Sequence, residues 1–367
     1  MEFSDIFKHR TLTLPKNIPQ GKTYREFIGS LFESYLALFE SVESESIRIR
    51  GMRLQISISS MINRQRRFTN GFLDAIDTYF DGQPAQAYEI FNTTMNERLE
   101  SFKTLQNIRR FLPGENFYRI RIKEENYPLG ASEMFHIPFQ YRGRVTTQRF
   151  SIPGFPSLYL GKTIYVAWEE LKRPSLDRFQ AVRLEAIKPI SCLDLTRPDW
   201  GHDPLQIAAY RYLMIWPLIA GCSIRVSNPG DSFKPEYIIP QLLLQWVRNV
   251  GVIDGIIYAS TNIKLKPGKQ LKDLYNIVLP VKDNTDEGLC TSLTKKFEIT
   301  SSISKQLLQS ASNRVFLRNR SQHALIDAKI PPLEIIRGRP SSYSSTELGY
   351  LEMILDEMET YPISPKC

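Results

Sequence analysis

The chain has 367 residues, of which 42% are hydrophobic and 23% charged. These proportions exclude an extended disordered protein and allow more than one buried core. Its 47 Lys and Arg outnumber its 39 Asp and Glu, and the resulting net charge of +8 favours an anionic ligand. The basic residues form no dense runs with interleaved aromatic residues, so a nucleic-acid groove is disfavoured.

The start of the chain and its cysteines bear on location. The first residues lack the basic, apolar and small-residue pattern of a signal peptide, and no uncharged apolar run reaches the ~18 residues of a membrane span. The cysteines Cys192, Cys222, Cys290 and Cys367 lie too far apart for a zinc knuckle or a redox pair. We therefore expect a cytoplasmic protein with reduced thiols, no membrane contact and no metal.

The N-terminal part has helical patterning. Thr23 and Glu26 have the spacing of a capping box, in which each side chain accepts a hydrogen bond from the other residue's backbone amide. Apolar residues then recur at helical spacing, beginning with Phe27, Leu31 and Tyr35. The pattern predicts a helical bundle over residues 22–110, within an N-terminal domain of residues 1–111.

The patterning changes at Pro113-Gly114, after which residues 117–122 alternate with the period of a strand. Further strands are predicted at 157–161, 181–186, 253–260 and 275–281, with helices near 163–172, 204–220 and 236–250. This order predicts an α+β fold, a helical bundle followed by a mixed α/β domain over residues 112–285. Residues 286–367 are predicted to form a C-terminal extension of uncertain structure.

Several common chemistries are excluded by missing motifs. The four histidines do not form paired-ligand motifs such as H-E-x-x-H. The chain also lacks a Walker-type phosphate loop, a G-x-G-x-x-G turn and a G-x-S-x-G nucleophile elbow. The reaction must then be one that Arg, Glu, Ser and Tyr can support, and cleavage of the nicotinamide–ribose bond of NAD+ is such a reaction.

An ordered set of short motifs points to one family. The set is listed here in chain order: Phe117-Tyr118-Arg119, Arg149-Phe150-Ser151, Gly154-Phe155-Pro156-Ser157, Leu158-Tyr159-Leu160, Ala167-Trp168-Glu169-Glu170 and Tyr258-Ala259-Ser260. Their order and spacing resemble the RES-domain family, which is named for its Arg, Glu and Ser. The resemblance covers about half of the chain and implies an ADP-ribosyltransferase-like fold. It also implies an NAD+-consuming toxin that a partner antitoxin silences.

The resemblance assigns roles to five residues. Glu170 follows Tyr159 by eleven residues, which selects it over Glu169 as the catalytic carboxylate. Arg119 is expected to bind the NAD+ diphosphate, and Ser260 to bind the ribose or the carboxamide. Tyr159 is expected to stack on nicotinamide. Arg149 is a second phosphate ligand by resemblance, although the sequence Gln148-Arg149-Phe150-Ser151 departs from the family's usual Gly-Arg-Trp-Asn.

Three functions remain open from the sequence. The first is NAD+ hydrolysis or phosphorolysis, and the second is transfer of ADP-ribose to a protein. The third is a non-catalytic basic protein that binds RNA or acts as a scaffold. The N-terminal bundle loosely resembles the HEPN helical fold, but no histidine lies between residues 10 and 135, so the R-x(4–6)-H site of HEPN nucleases is absent.

Overall fold

The computed structural model describes residues 1–50, 55–101, 107–123, 127–198, 205–261, 263, 273–310, 320–330, 332–336 and 338–366. The α-helices in these ranges are α1 Tyr24–Glu40, α2 Ile58–Phe80, α3 Pro84–Ser101, α4 Ala131–Met134, α5 Ile164–Glu170, α6 Ile207–Cys222, α7 Ile238–Asn249, α8 Thr291–Thr294, α9 Lys305–Ser310, α10 Arg320–Lys329 and α11 Glu347–Glu357. The strands are β1 Ser46–Arg48, β2 Gln55–Ser57, β3 Ile108–Phe111, β4 Asn116–Ile122, β5 Ser157–Gly161, β6 Phe179–Ala186, β7 Ile190–Asp194, β8 Gly255–Ala259, β9 Tyr275–Pro280, β10 Phe297–Ile299, β11 Leu333–Ile336, β12 Arg339–Ser341 and β13 Tyr361–Pro362. The predicted α+β class is confirmed.

The chain divides into two units, each built from several separate segments. The first unit contains residues 1–108, 147–151 and 195–246, and the second contains residues 109–146, 152–194 and 247–367. These units cross the predicted domain limits of 1–111, 112–285 and 286–367, because contacts join segments that are distant in sequence.

The first unit is a helical bundle that includes α6, a helix from a much later part of the chain. The Tyr35 hydroxyl donates to the Leu213 carbonyl at 2.6 Å, and Gln65 Nε2 donates to the Met214 carbonyl at 3.2 Å. The rings of Tyr35 and Trp216 stack with centroids 4.8 Å apart. Buried residues occur on all sides of α6, as expected of a helix enclosed by others.

Helix α1 of this bundle begins with the predicted capping box. The Thr23 hydroxyl accepts from the Glu26 amide at 3.2 Å, and the Glu26 carboxylate accepts from the Thr23 amide at 2.8 Å. Two amide groups at the helix start are therefore satisfied by side chains, and this local prediction is confirmed.

The second unit is built on a nine-stranded sheet with the order β13-β10-β6-β4-β5-β9-β8-β7-β3. Strands β7 and β8 pair in parallel, whereas β4 is antiparallel to β6 and β9 is antiparallel to both β5 and β8. Apolar residues cover both faces. One buried cluster includes Phe117, Val182 and Ile277, and the other includes Tyr118 and the buried residues of α5.

Residues beyond 285 belong to this sheet and its core. Strand β10 pairs with β6, and β13 pairs with β10. On helix α11, the fully buried carboxylate of Glu352 accepts from the Ile164 amide at 2.9 Å and from the Tyr343 hydroxyl at 2.8 Å. Ile164 is the first residue of α5, so the C-terminal segment supports a helix of the central RES-like region.

Two observations bear on the predicted environment. Within the described ranges, none of the helices combines the length and the apolarity needed to cross a bilayer. Cys192, Cys222 and Cys290 are buried free thiols, and Cys367 lies outside the described residues.

Candidate functional site

Two of the predicted site residues, Arg119 and Tyr159, lie beside a split in the middle of the sheet of the second unit. Strand β4 pairs with β6 at seven consecutive positions, from Asn116 to Ile122. Its pairing with β5 on the other side is limited to Tyr118 opposite Gly161. The two strands therefore separate beyond this point, and backbone groups of β5 become accessible to side chains.

Arg119 reaches into this split. Its Nη1 donates to the Tyr159 carbonyl oxygen at 3.0 Å. Strand alternation places Arg119 with Val182, its pairing partner, on the sheet face opposite α5. The side chain is thus held at the boundary between β4 and β5.

The electrostatic surroundings of Arg119 are unusual for a buried cation. Its Nε is buried and makes no hydrogen bond within the described residues. Burial, followed by the like charge of Arg121, lowers the pKa of Arg119 to about 10. A desolvated guanidinium beside a second cation is stabilised by an anion, and its planar fork suits phosphate oxygens.

Glu170 is placed by α5, a helix that packs closely on the sheet. The helix is capped by Thr163, whose hydroxyl accepts from the Val166 amide at 3.2 Å. The close approach depends on Gly161, because a Cβ atom there would lie 2.7 Å from the Thr163 carbonyl oxygen and 2.8 Å from the Ala167 amide nitrogen. Glu170, the last residue of the helix, is half-buried.

Two donors from different strands hold the Glu170 carboxylate. Ser260 Oγ, just after β8, donates to Glu170 Oε2 at 3.0 Å. Asn276 Nδ2, on β9, donates to the same oxygen at 3.1 Å. The two hydrogen bonds thus hold the carboxylate at the C-terminal end of α5.

The neighbouring acid, Glu169, has different surroundings. It is 3% exposed, and its two carboxylate oxygens accept from Arg173 at 2.8 and 3.0 Å. This bidentate ion pair lies at the C-terminal end of α5. The charge of Glu169 is matched by the Arg173 guanidinium.

The structure brings the predicted residues together in two pairs. Ser260 binds Glu170, and Arg119 binds the backbone of Tyr159, which lies on β5 opposite Val278. Arg149 belongs to the first unit, where it donates to the Cys222 carbonyl at 3.0 Å and lies over the Tyr237 ring. The predicted roles of all five residues stay predictions.

Asn276 is the member of this arrangement that sequence reasoning missed. It belongs to a strand that was predicted, but no motif singles it out. Its position becomes apparent from the pairing of β9, which sets Asn276 opposite both Gly161 and Tyr258. Such register between distant strands is not encoded in local spacing.

A buried histidine in the same unit has a structural role. His136 Nε2 accepts from the Cys290 amide at 2.8 Å, and its Nδ1 donates to the Ile137 carbonyl at 2.8 Å. Burial lowers the pKa of His136 to about 4, so the ring is neutral at physiological pH. Both ring nitrogens are used by the backbone, which leaves no position for base catalysis. Among the described residues, no group of three or more His, Cys, Asp or Glu is placed to hold a metal ion.

Comparison with known proteins adds two matches. The family model for the RES domain matches residues 116–288. The chain is also similar to the protein named "Putative toxin YopC" of Bacillus subtilis (strain 168). The two are 35% identical over 316 residues, which cover 81% of this chain and 70% of the relative. We found no solved structure that matches the chain.

Proposed function

Since the chain belongs to the RES-domain family, we propose that it cleaves NAD+ between nicotinamide and ribose and acts as a toxin or defence effector. Glu170 serves as the catalytic carboxylate, and Arg119 binds the diphosphate. Ser260 and Tyr159 contact the ribose and the nicotinamide ring. The relative named as a toxin supports the biological role, and a separate antitoxin protein is proposed as the inhibitor.

The proposed reaction requires a negatively charged side chain rather than a general acid. When the bond from ribose C1′ to the pyridinium nitrogen breaks, both electrons leave with nicotinamide, which departs as a neutral molecule. Positive charge is left on C1′ and the ring oxygen of the ribose. A fixed carboxylate stabilises this charge as it develops, which is the role proposed for Glu170.

The acceptor completes the reaction. Water forms a bond to C1′ and releases a proton to solvent, which yields ADP-ribose, whereas phosphate yields the corresponding ADP-ribose phosphate. A protein side chain as acceptor makes the enzyme an ADP-ribosyltransferase. Each acceptor attacks the same oxocarbenium-like centre, so product analysis after incubation with NAD+ distinguishes the three.

The observation that carries the proposal is the environment of Glu170. Its half-buried carboxylate accepts from two uncharged donors, Ser260 and Asn276, in the middle of a sheet. Arg119, a second charged side chain of this sheet and one suited to an anionic group, lies on β4 and faces the side opposite α5. A dinucleotide carries the cationic ring and the diphosphate that these two charges match.

The proposal is tested by steady-state release of nicotinamide from NAD+. Glu170→Gln keeps the shape and the hydrogen-bonding capacity of the side chain but removes its charge. We expect kcat to fall by ~10² or more with little change in KM. Glu169→Gln is the matched control, because it changes the adjacent carboxylate that is paired with Arg173.

Circular dichroism establishes that both variants are folded at the assay temperature. An unaltered kcat in Glu170→Gln contradicts the proposed mechanism. A kcat that falls in Glu169→Gln and not in Glu170→Gln transfers the catalytic role to the other acid.

A further inference from the structure

Asn276 lies at the centre of the sheet beside the carboxylate to which we assign catalysis. Its side chain is 3% exposed. Strand pairing sets it between Gly161 of β5 and Tyr258 of β8, and its amide contacts Glu170 at the end of α5. We propose that Asn276 is a positioning residue that orients the Glu170 carboxylate. This inference rests on the proposed function of Glu170.

The hydrogen-bond geometry gives Asn276 a defined task. Asn276 Nδ2 and Ser260 Oγ converge on the same oxygen, Glu170 Oε2, at 3.1 and 3.0 Å. Glutamate has a broad, weakly restricted final torsion, so one donor alone leaves the plane of the carboxylate poorly defined. Two donors, one on β9 and one just after β8, restrict this rotation and keep the carboxylate in one orientation as the reaction proceeds.

The amide is suited to this task because it carries no charge. A lysine or arginine in its place would form an ion pair with Glu170 and reduce the net negative charge available to an oxocarbenium. An amide nitrogen donates to the carboxylate and leaves the net charge of the pair at that of Glu170. Asn276 thus orients the carboxylate and does not itself neutralise it.

Asn116 provides a matched control for the structural cost of losing an amide. It lies on β4 in the same sheet, and its Oδ1 accepts from Arg183 Nη1 at 3.0 Å. Its side chain contacts Arg183 and Asp356, and neither is a predicted site residue. Asn116→Ala therefore removes a partly buried amide hydrogen bond of the sheet without altering the donors to Glu170.

The experiment measures kcat and KM for nicotinamide release in Asn276→Ala and Asn116→Ala, with thermal unfolding of each. We expect Asn276→Ala to lower kcat by ~10-fold with KM changed less than about twofold, because the loss affects an interaction important in the transition state. Asn116→Ala should keep kcat within about twofold of the wild type.

A second comparison tests whether Asn276 acts through Glu170. In the Glu170→Gln background, single-turnover assays with excess enzyme should show less than about a twofold further loss from Asn276→Ala, because the charge that Asn276 orients is already absent. An equal loss in both backgrounds overturns the inference and indicates a general structural role.

The outcomes separate the inference from the proposed function. A wild-type protein that releases no nicotinamide overturns both. An active wild type in which Asn276→Ala and Asn116→Ala have the same kcat overturns the positioning role and leaves the function of Glu170 in place.

Discussion

Arg119 combines three features that bear on ligand binding. It donates to a backbone carbonyl across a split in the sheet, its Nε is buried without a hydrogen bond in the described part of the chain, and its neighbour Arg121 has the same charge. Keeping a cation in such a place costs stability unless a ligand supplies the opposite charge. We therefore expect its contribution to appear in substrate binding.

The Arg119→Ala variant tests this expectation. A charge-assisted hydrogen bond to the diphosphate contributes about 1.5–3 kcal/mol in both the ground state and the transition state. Its loss should raise KM for NAD+ roughly ten- to a hundredfold with little change in kcat. Arg110→Ala, on an exposed position of β3, is the control. An unchanged KM in Arg119→Ala would show that Arg119 does not bind the diphosphate.

At the scale of elements, local patterns were sufficient for the capping box of α1 and for strand β4. Both depend on residues within a few positions of each other, where backbone geometry fixes which side chains meet. The contact between Ser260 and Glu170 spans 90 positions, and that between Asn276 and Glu170 spans 106. Such contacts depend on strand order, which periodicity does not specify. Ser260 was predicted from the family resemblance, whereas the contact of Asn276 with Glu170 was identified only from the structure.

Helix α5 offers a test of how its packing controls the carboxylate. In Gly161→Ala, the new methyl group would meet the backbone of Thr163 and Ala167. The helix must shift, at a cost of about 1–3 kcal/mol. We expect a lower thermal midpoint and a lower kcat, since Glu170 moves with the helix. Gly143→Ala is the control, because a Cβ there meets nothing within 4 Å. Equal midpoints and rates for both variants would show that α5 tolerates the methyl group.

At the scale of the whole molecule, the two units alternate along the sequence. The first unit takes residues 195–246 from within the span of the RES-domain match, and these include the buried helix α6. The short motifs did not predict this, because they contain the proposed site residues and not the apolar segment between them. The resemblance of the bundle to the HEPN fold stays a prediction.

The alternation of the two units along the sequence has a consequence for truncated proteins. Motif positions alone predict that residues 22–110 are not catalytic, since the matched motifs begin at Phe117. Removal of residues 1–108, however, deletes Tyr35 and Gln65, which contact α6. We expect residues 109–367 expressed alone to aggregate or to bind a hydrophobic dye, with the full chain purified in parallel as the control. A soluble fragment that binds no dye and has a native circular dichroism spectrum would show that α6 folds without the N-terminal helices.

The contact between Glu352 and the start of α5 also has a consequence for synthesis on the ribosome. The two contacting residues are 188 positions apart. At ~5–20 residues per second, translation reaches Glu352 roughly 10–40 s after the amide of Ile164 has been made. During that interval the nascent helix that carries Glu170 lacks its buried acceptor. We therefore expect the surroundings of the proposed catalytic carboxylate to be completed only late in translation, long after the residue itself has been added.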